Sequence, residues 1–383
     1  MTKSDQPIRS WFSVRKLIAL LLIAAVFFLA PWGVDRWRTK ALVETIRKNG
    51  GRVNLYHGLC FNGSCLQLPK QLDPFVGKIY SISLFKPANL EINDAFIDSL
   101  GEHSELHLLY LGDDKQPTTI TDEGLDAITK HPISHLYLSG GLMTDAGFNK
   151  LKLIPSLEYL DLHNLNFTGE QFDCAMQMKK LKSIRLSGLT LSNHGLQNLA
   201  AIPNLDYLNI KESRIDANGL RHFSNSKKLF CLNFENIEIR PESLDYLTSV
   251  KSLRYLELQG TSINDTHTSQ VANLKQIIFL VLNDSQVTDE GLIPLTKMQQ
   301  LHTLFLTNTP VTDKGINHLT RSSSLMLLDL SNTAVTDKVK ESLLSIPKLQ
   351  RVNLTGTNVS EKTIQSLQDA GIEVMTNKPG FLH

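Results

Sequence analysis

The sequence carries none of the short motifs that mark the common enzyme active sites. It contains no H-E-x-x-H, G-x-S-x-G, G-x-x-x-x-G-K-[ST] or G-x-G-x-x-G segment and no C-x-x-C pair, so metalloprotease, hydrolase and nucleotide-binding sites are not predicted. Two histidine pairs with four-residue spacing, His103/His107 and His131/His135, each cross a predicted helix–strand junction and do not face one way. We therefore predict a protein that is not an enzyme and that uses no metal ion and no cofactor.

Cysteine is scarce, and neither charge sign is in excess. The four cysteines are too few for a disulfide scaffold, although Cys60 and Cys65 are close enough to form one short bridge or to remain two free thiols. Ten of the 39 basic residues, but only three of the 38 acidic ones, fall before residue 53. The remainder is therefore net acidic, which excludes a basic nucleic-acid footprint, and we predict no nucleic-acid partner.

Long hydrophobic runs are absent apart from Leu17–Val34, which has eighteen residues without a charge. As a helix this run would reach about 27 Å, close to the bilayer core of about 30 Å. Four basic residues precede it, which predicts a cytoplasmic basic tail at 1–16 and a single-pass transmembrane signal anchor at 17–34, with the rest extracytoplasmic. The alternatives are a cleaved signal on a secreted protein, and a buried or peripheral helix.

Regularly spaced leucine is what the sequence has in abundance. Ten segments of the form L-x-x-L-x-L begin 24 residues apart, from Ile133 to Leu349, and two looser copies begin at Ile79 and Leu106. A period of 20 to 29 residues with this pattern is the signature of a leucine-rich repeat. The last two apolar residues of each segment alternate along a predicted strand, so they point inward and the residue between them points outward.

A second motif, T-D-x-G-[L/I/F], follows the strand in four of the turns, where it begins at Thr121, Thr144, Thr288 and Thr312. Degenerate copies occur in other turns. The threonine is expected to cap a short helix, and the aspartate to favour the positive end of that helix. The glycine is expected to let neighbouring turns approach closely. Each turn is thus predicted to be a strand, a turn and a short helix.

Together the two motifs resemble the cysteine-containing class of leucine-rich repeats, which occurs in F-box substrate receptors and in bacterial repeat proteins. The resemblance covers residues 79–374 and implies an α/β solenoid of about 12 repeats. In such a solenoid parallel strands line a concave face and short helices the convex face. Residues 35–78 are predicted to form an N-terminal cap with a helix, a strand and the cysteine loop, and 375–383 a C-terminal tail.

The outward strand positions are the residues that the repeat leaves free to encode a partner. Tyrosine, arginine and mixed polar groups are typical of protein-binding hot spots, although tyrosine is also favoured on sheets for packing alone. We predict a partner-binding patch made of Tyr137, Tyr159, Asp161, His163, Arg185, Tyr207, Asn209, Lys211, Tyr255 and Glu257.

An apolar stretch lies further along the same face. It comprises Ile278, Phe279, Val281, Phe305, Met326 and Leu327. Exposed apolar area of this extent often marks an interface, so contact with a partner or a second copy is expected. The alternative is coverage by neighbouring long side chains.

These features predict a non-enzymatic, membrane-anchored leucine-rich repeat protein whose concave face binds a protein or cell-envelope ligand. The alternative is an intracellular scaffold or substrate receptor similar to the F-box proteins, a ubiquitin-ligase-like adaptor, although the apolar run lies where those proteins carry an F-box. The alternative predicts free thiols at Cys60 and Cys65.

Overall fold

The computed structural model describes residues 40–56, 58–61, 64–67, 78–84, 90–101, 106–113, 115–170, 172–216, 218–260 and 262–376. The predicted anchor, Leu17–Val34, lies outside these residues, as do the side chains of Cys60 and Cys65. Among the described residues, no helix is long and apolar enough to cross a membrane. The anchor and the disulfide therefore stay predictions.

Strands and helical segments alternate along this part of the chain. The strands are β1 (Arg52–Tyr56), β2 (Gly58–Phe61), β3 (Ser64–Gln67), β4 (Lys78–Leu84), β5 (Leu108–Leu111), β6 (His135–Ser139), β7 (Tyr159–His163), β8 (Ser183–Ser187), β9 (Thr190–Leu191), β10 (Tyr207–Lys211), β11 (Arg214–Ile215), β12 (Cys231–Glu235), β13 (Tyr255–Glu257), β14 (Phe279–Val281), β15 (Thr303–Phe305), β16 (Leu327–Asp329), β17 (Arg351–Asn353) and β18 (Glu373–Met375).

The α-helices are α1 (40–48), α2 (Asp94–Ser99), α3 (Asp122–Ile128), α4 (Asp145–Phe148), α5 (Asn193–Ala200), α6 (Asp265–Val271), α7 (Leu292–Leu295), α8 (Asp313–Leu319), α9 (Val339–Leu344) and α10 (Glu361–Asp369). Four connections hold 3₁₀ segments where short α-helices were predicted. They are Asn149–Leu153, Ala175–Gln177, Gly219–Asn225 and Pro241–Ser249.

One long sheet organises the molecule. Fourteen strands lie in the order β1-β4-β5-β6-β7-β8-β10-β12-β13-β14-β15-β16-β17-β18, and every pair is parallel except the antiparallel β1–β4 pair at the N-terminal edge. From β6 to β17 each residue pairs with the residue 24 positions later, as His135 does with Tyr159 and Leu327 with Arg351. The sequence period is therefore the register of the sheet.

The core is continuous along the array. The ten residues that open the L-x-x-L-x-L segments are all buried, and the inward strand leucines such as Leu328 and Leu330 have no exposed surface. Burying one such side chain contributes about 1.5–3 kcal/mol relative to leaving it exposed. Because each turn contacts mainly its neighbours, stability accumulates turn by turn, as expected of a solenoid.

The aspartate of the T-D-x-G motif links one turn to the next. Asp289 accepts hydrogen bonds from the backbone N–H of Thr312 at 2.7 Å and from its hydroxyl at 2.6 Å. The same two bonds join Asp94 to Thr121, Asp122 to Thr144, Asp145 to Thr168, Asp265 to Thr288 and Asp313 to Thr336. The role expected from the helix dipole alone was therefore incomplete, because this carboxylate bonds chiefly to the following turn.

The glycine of the motif makes room for that link, which confirms the close approach expected of it. A β-carbon on Gly315 would lie 2.5 Å from Oδ1 of Asp289, and one on Gly147 would lie 2.0 Å from Oδ1 of Asp122. Threonine completes the unit, since the Thr312 hydroxyl also accepts a hydrogen bond from the N–H of Lys314 at the start of α8.

The links are interrupted in the middle of the array. At three successive positions where other turns have the linking aspartate, the sequence instead has Asn193, Ala217 and Pro241. None of these residues carries a carboxylate. Other contacts occupy this stretch, namely the β9–β11 pair and a bond between the His222 ring and Asn193. Two of the four 3₁₀ segments, Gly219–Asn225 and Pro241–Ser249, lie in the same turns.

A residue with a left-handed backbone conformation follows the strand in each 24-residue turn, a feature that the sequence patterns did not predict. The ten positions have φ between 48° and 72° and recur every 24 residues. They are Gly140, Asn164, Gly188, Glu212, Asn236, Gly260, Asp284, Asn308, Asn332 and Gly356. Glycine and asparagine tolerate this conformation best, which explains why these two types fill most of the positions.

Replacing Asp289 by alanine is expected to lower the free energy of unfolding by about 1–3 kcal/mol, because two hydrogen bonds between turns are lost. Urea unfolding followed by circular dichroism measures the change. Glu290→Ala, at the adjacent exposed position, is the control and is expected to stay close to the parent protein. Equal stability of the two variants would contradict the linking role of the aspartate.

Candidate functional site

The outward residues of the sheet form rows across the strands. One row runs Ser81, Leu108, His135, Tyr159, Ser183, Tyr207, Cys231, Tyr255, Phe279, Thr303, Leu327 and Arg351. The second row includes Tyr137, Asp161, Arg185, Asn209, Asn233 and Glu257 in consecutive register. We call this surface the sheet face; it is the side predicted to be concave.

A depression of about 330 Å³ lies in the sheet face across β5 to β10. Five residues of the predicted patch line it, namely Tyr137, Tyr159, Asp161, Arg185 and Tyr207. The sheet register brings them together from four different strands.

Aromatic rings and one cation dominate the depression. The rings of His135 and Tyr159 stack with centroids 4.1 Å apart. The guanidinium carbon of Arg185 lies 5.4 Å from the centroid of the Tyr207 ring, within the range of a cation–π contact. No carboxylate of the described chain forms an ion pair with Arg185, because Asp161 instead bonds to His163 at 2.7 Å. The depression therefore offers exposed aromatic surface beside an unpaired positive charge.

The other five predicted patch residues lie on the same face but outside the depression. His163 contacts Tyr137, with ring centroids 4.9 Å apart. Lys211 is paired with Glu235 at 3.0 Å, so its charge is already compensated. Asn209 lies beside Tyr207, to whose hydroxyl it donates at 3.4 Å. Tyr255 and Glu257 stand on β13, beyond β12.

The patch prediction omitted four polar or aromatic residues that line the depression: Tyr110, His135, Ser183 and Asp206. Tyr110 pairs in register with Tyr137, so the 27-residue spacing of the early repeats could have placed it. Burial raises the pKa of the Tyr110 hydroxyl, and the nearby charge of Asp161 adds to the effect. Asp206 lies just before β10, and the alternation of inward and outward residues along a strand does not predict where the side chain of such a residue lies.

A second surface, the aromatic ladder, lies on β13 to β15. Phe230, Tyr255, Phe279 and Phe305 form successive ring contacts with centroid separations of 5.0, 5.1 and 5.2 Å. Of the predicted apolar stretch, Val281 is buried, while Ile278, Phe279, Phe305, Met326 and Leu327 are half-buried. Side chains here cover one another in part, and Phe230, which the prediction omitted, is the most exposed ring at 46%.

Between the depression and the ladder lies the acceptor pair, Asn233 and Glu257. These residues are register partners on β12 and β13, and Nδ2 of Asn233 donates to Oε2 of Glu257 at 2.5 Å. Burial raises the pKa of Glu257; the Asn233 bond opposes that shift and the charge of Glu235 adds to it. Beside the pair, burial and the charges of Glu257 and Asp206 raise the pKa of Cys231 to about 12, so its thiol is protonated.

In the described part of the chain, no group of three His, Cys, Asp or Glu side chains is placed to hold a metal ion. Cys174 and Cys231 are both free cysteines. What the sheet face offers is surface for contact.

Glu257→Gln is expected to raise the melting temperature at pH 7 by about 1–3 °C. A raised folded-state pKa favours folding below the usual glutamate pKa, and this contribution is lost as pH rises through the raised value. The charged carboxylate thus destabilises the fold at neutral pH, and the gain should vanish near pH 3.5, where glutamate is protonated. Thermal melts at both pH values measure the change, with Glu341→Gln, at a side chain 84% exposed, as the control. A melting temperature of Glu257→Gln below that of the parent protein at pH 7 would refute the effect.

Comparison with known proteins agrees with this architecture. No family model matches the sequence, and no curated protein matches it. An internalin from Listeria monocytogenes has a similar structure, with 18% identity, 89% of this chain and 94% of that chain covered, and a TM-score of 0.50. Internalin C2 from the same organism gives 22% identity, 52% and 83% coverage, and a TM-score of 0.40. The long parallel sheet and the first of these likenesses show that this chain has a leucine-rich repeat fold.

Proposed function

We propose that the protein is a non-enzymatic binding protein and that its sheet face holds a protein ligand. The observation that carries the proposal is the depression lined by Tyr137, Tyr159 and Tyr207 beside the unpaired Arg185. Buried or half-buried tyrosine and arginine supply most of the binding energy in typical protein interfaces. The ten residues of the predicted patch are the proposed contact residues.

The arrangement of charge supports recognition of a specific partner. Asp161 is hydrogen-bonded to His163 and Lys211 is paired with Glu235, whereas Arg185 forms no ion pair with any described residue. An acidic group on the partner would neutralise the charge of Arg185. Such charge complementarity chiefly controls the specificity and the rate of association.

The double substitution Tyr159→Ala and Tyr207→Ala is expected to weaken partner binding at least about 30-fold, since truncating a central hot-spot tyrosine costs about 2 kcal/mol or more. Proteins captured by the immobilised full-length chain are identified by mass spectrometry, and their affinities are then measured with purified components.

Tyr246→Ala is the matched control. Tyr246 is 40% exposed, close to the 42% of Tyr159, but it lies in the 3₁₀ segment Pro241–Ser249 away from the sheet face. Partners that bind the double variant and the Tyr246 variant equally well would eliminate the sheet face as the binding site.

For localisation we propose a single-pass membrane protein with the repeats outside the cytoplasm, a cell-envelope component being a further candidate ligand. Its support is the charge-free run Leu17–Val34 behind a basic tail. The competing candidate, an intracellular scaffold similar to F-box substrate receptors, rests on the resemblance of the T-D-x-G-L repeats.

A reporter fused to the C-terminus separates these candidates. Alkaline phosphatase is expected to be active there and a cytoplasmic reporter inactive, and the opposite result would refute the topology. Mass spectrometry of freshly isolated protein gives a second readout. A bond between Cys60 and Cys65 would favour an oxidising compartment, whereas free thiols would favour the scaffold.

A further inference from the structure

The acceptor pair lies beside a break between two tyrosines of the first row of the sheet face, which we call the tyrosine row. In register order Tyr207, Cys231 and Tyr255 follow one another on β10, β12 and β13. Cysteine is much smaller than tyrosine, so the two rings are separated by a short side chain. Asn233 and Glu257 belong to the neighbouring row at the same place.

Asn233 lacks a hydrogen bond that it needs. The residue is 9% exposed, and its Nδ2 is used by Glu257. Its Oδ1 is buried and has no hydrogen-bond partner among the residues that the structure describes. A buried acceptor left unpaired destabilises the fold, and native proteins keep few of them. The protein encloses this oxygen, so the acceptor that the pair presents to a ligand is the Glu257 carboxylate.

Glu257 lacks a counter-charge. Within residues 218–260 and their described neighbours no basic side chain forms an ion pair with it. Lys211, on the same face, is paired with Glu235 and Glu212. Among the residues that the structure describes, the hydrogen bond to this half-buried carboxylate comes from the amide of Asn233. A cation placed here would relieve an uncompensated charge.

Aromatic surface adjoins the acceptors. The Tyr255 ring stacks on Phe279 with an interplanar angle of 28° and also contacts Phe230. Tyrosine faces attract cations, and the remainder of the ladder offers apolar contact to whatever lies next to a bound cation. The chemistry thus combines a negatively charged carboxylate, aromatic rings and an apolar flank.

We propose that the acceptor pair of Asn233 and Glu257 receives an arginine or lysine side chain of the protein partner, and that apolar residues beside it rest on the aromatic ladder. The N–H groups of the cation donate to the carboxylate of Glu257, which the Asn233 side-chain amide holds in place. The inference rests on the proposed function and specifies it. Three strand spacings of about 4.8 Å separate Arg185 from Glu257, so the partner presents an acidic and a basic group about 14 Å apart.

Peptide selection tests the proposal and does not require the partner to be identified first. Random dodecapeptides displayed on phage are selected on the immobilised full-length chain, and the strongest binders are synthesised with a fluorescent label. We expect each to carry an arginine or lysine next to apolar residues. Replacing that residue by citrulline or norleucine is expected to raise Kd by about tenfold or more on the parent chain.

The Kd values of the original and the substituted peptide are then measured on the Glu257→Gln variant. We expect them to differ by less than about twofold, because this variant lacks the carboxylate that pairs with the basic residue of the peptide. Glu341→Gln, on the opposite side of the array, should retain the full tenfold effect. Selected peptides without a basic residue, or an equal loss on Glu257→Gln and on the parent chain, would overturn the proposal.

The Tyr159→Ala and Tyr207→Ala variant separates this inference from the proposed function. If that variant loses the captured protein while Glu257→Gln shows no coupling to the partner's charge, the sheet face binds a protein but the cation site is wrong. If neither variant affects the captured protein and no peptide is enriched, both proposals fail.

Discussion

The carboxylate link between successive turns is the interaction on which the regularity of this protein depends. An aspartate at the start of one helix accepts two hydrogen bonds from the threonine that starts the next, and a glycine leaves space for it. The link fixes both the distance and the rotation between turns, because the two bonds approach one carboxylate from a backbone N–H and a side chain. Ionisation is part of the arrangement: the backbone N–H of Ser360 lowers the pKa of Asp337, which occupies this position in a late turn.

A fixed register turns a one-dimensional spacing into a two-dimensional surface. Residues 24 apart stand beside one another, so Asp161 meets Arg185, and Asn233 meets Glu257. Most charges on this surface are neutralised by a neighbour, as Lys211 is by Glu235. Arg185 and Glu257 form no ion pair with a described residue and are of opposite sign, and each has aromatic rings beside it. The surface therefore combines apolar contact area with two charges that a partner would have to match.

The sequence was sufficient to predict the fold, because a 24-residue period with alternating leucines determines both the strand positions and their register. It also placed Tyr137, Tyr159 and Arg185 on one surface. It did not reveal that the motif aspartate bonds to the following turn, since capping rules describe a single helix. Nor did it reveal the burial of Asn233 or the contribution of Asp206, which depend on the conformations of neighbouring side chains. The anchor, the ligand and the cysteine-containing repeat class stay predictions.

The gap in the carboxylate links has a mechanical consequence. The turns between Asn193 and Asn264 lack the aspartate tie and rely on the β9–β11 pair, on the bond between His222 and Asn193, and on one from the His267 ring to the carbonyl of Ile239. Two stiffer blocks, with ties from Asp94 to Ser192 and from Asp265 to Ser360, flank this stretch. A pulling force applied to the two ends would separate the array first in these turns, where the tyrosine row meets the acceptor pair. Separation of these turns would therefore alter the candidate ligand site while the repeats near both ends keep their ties.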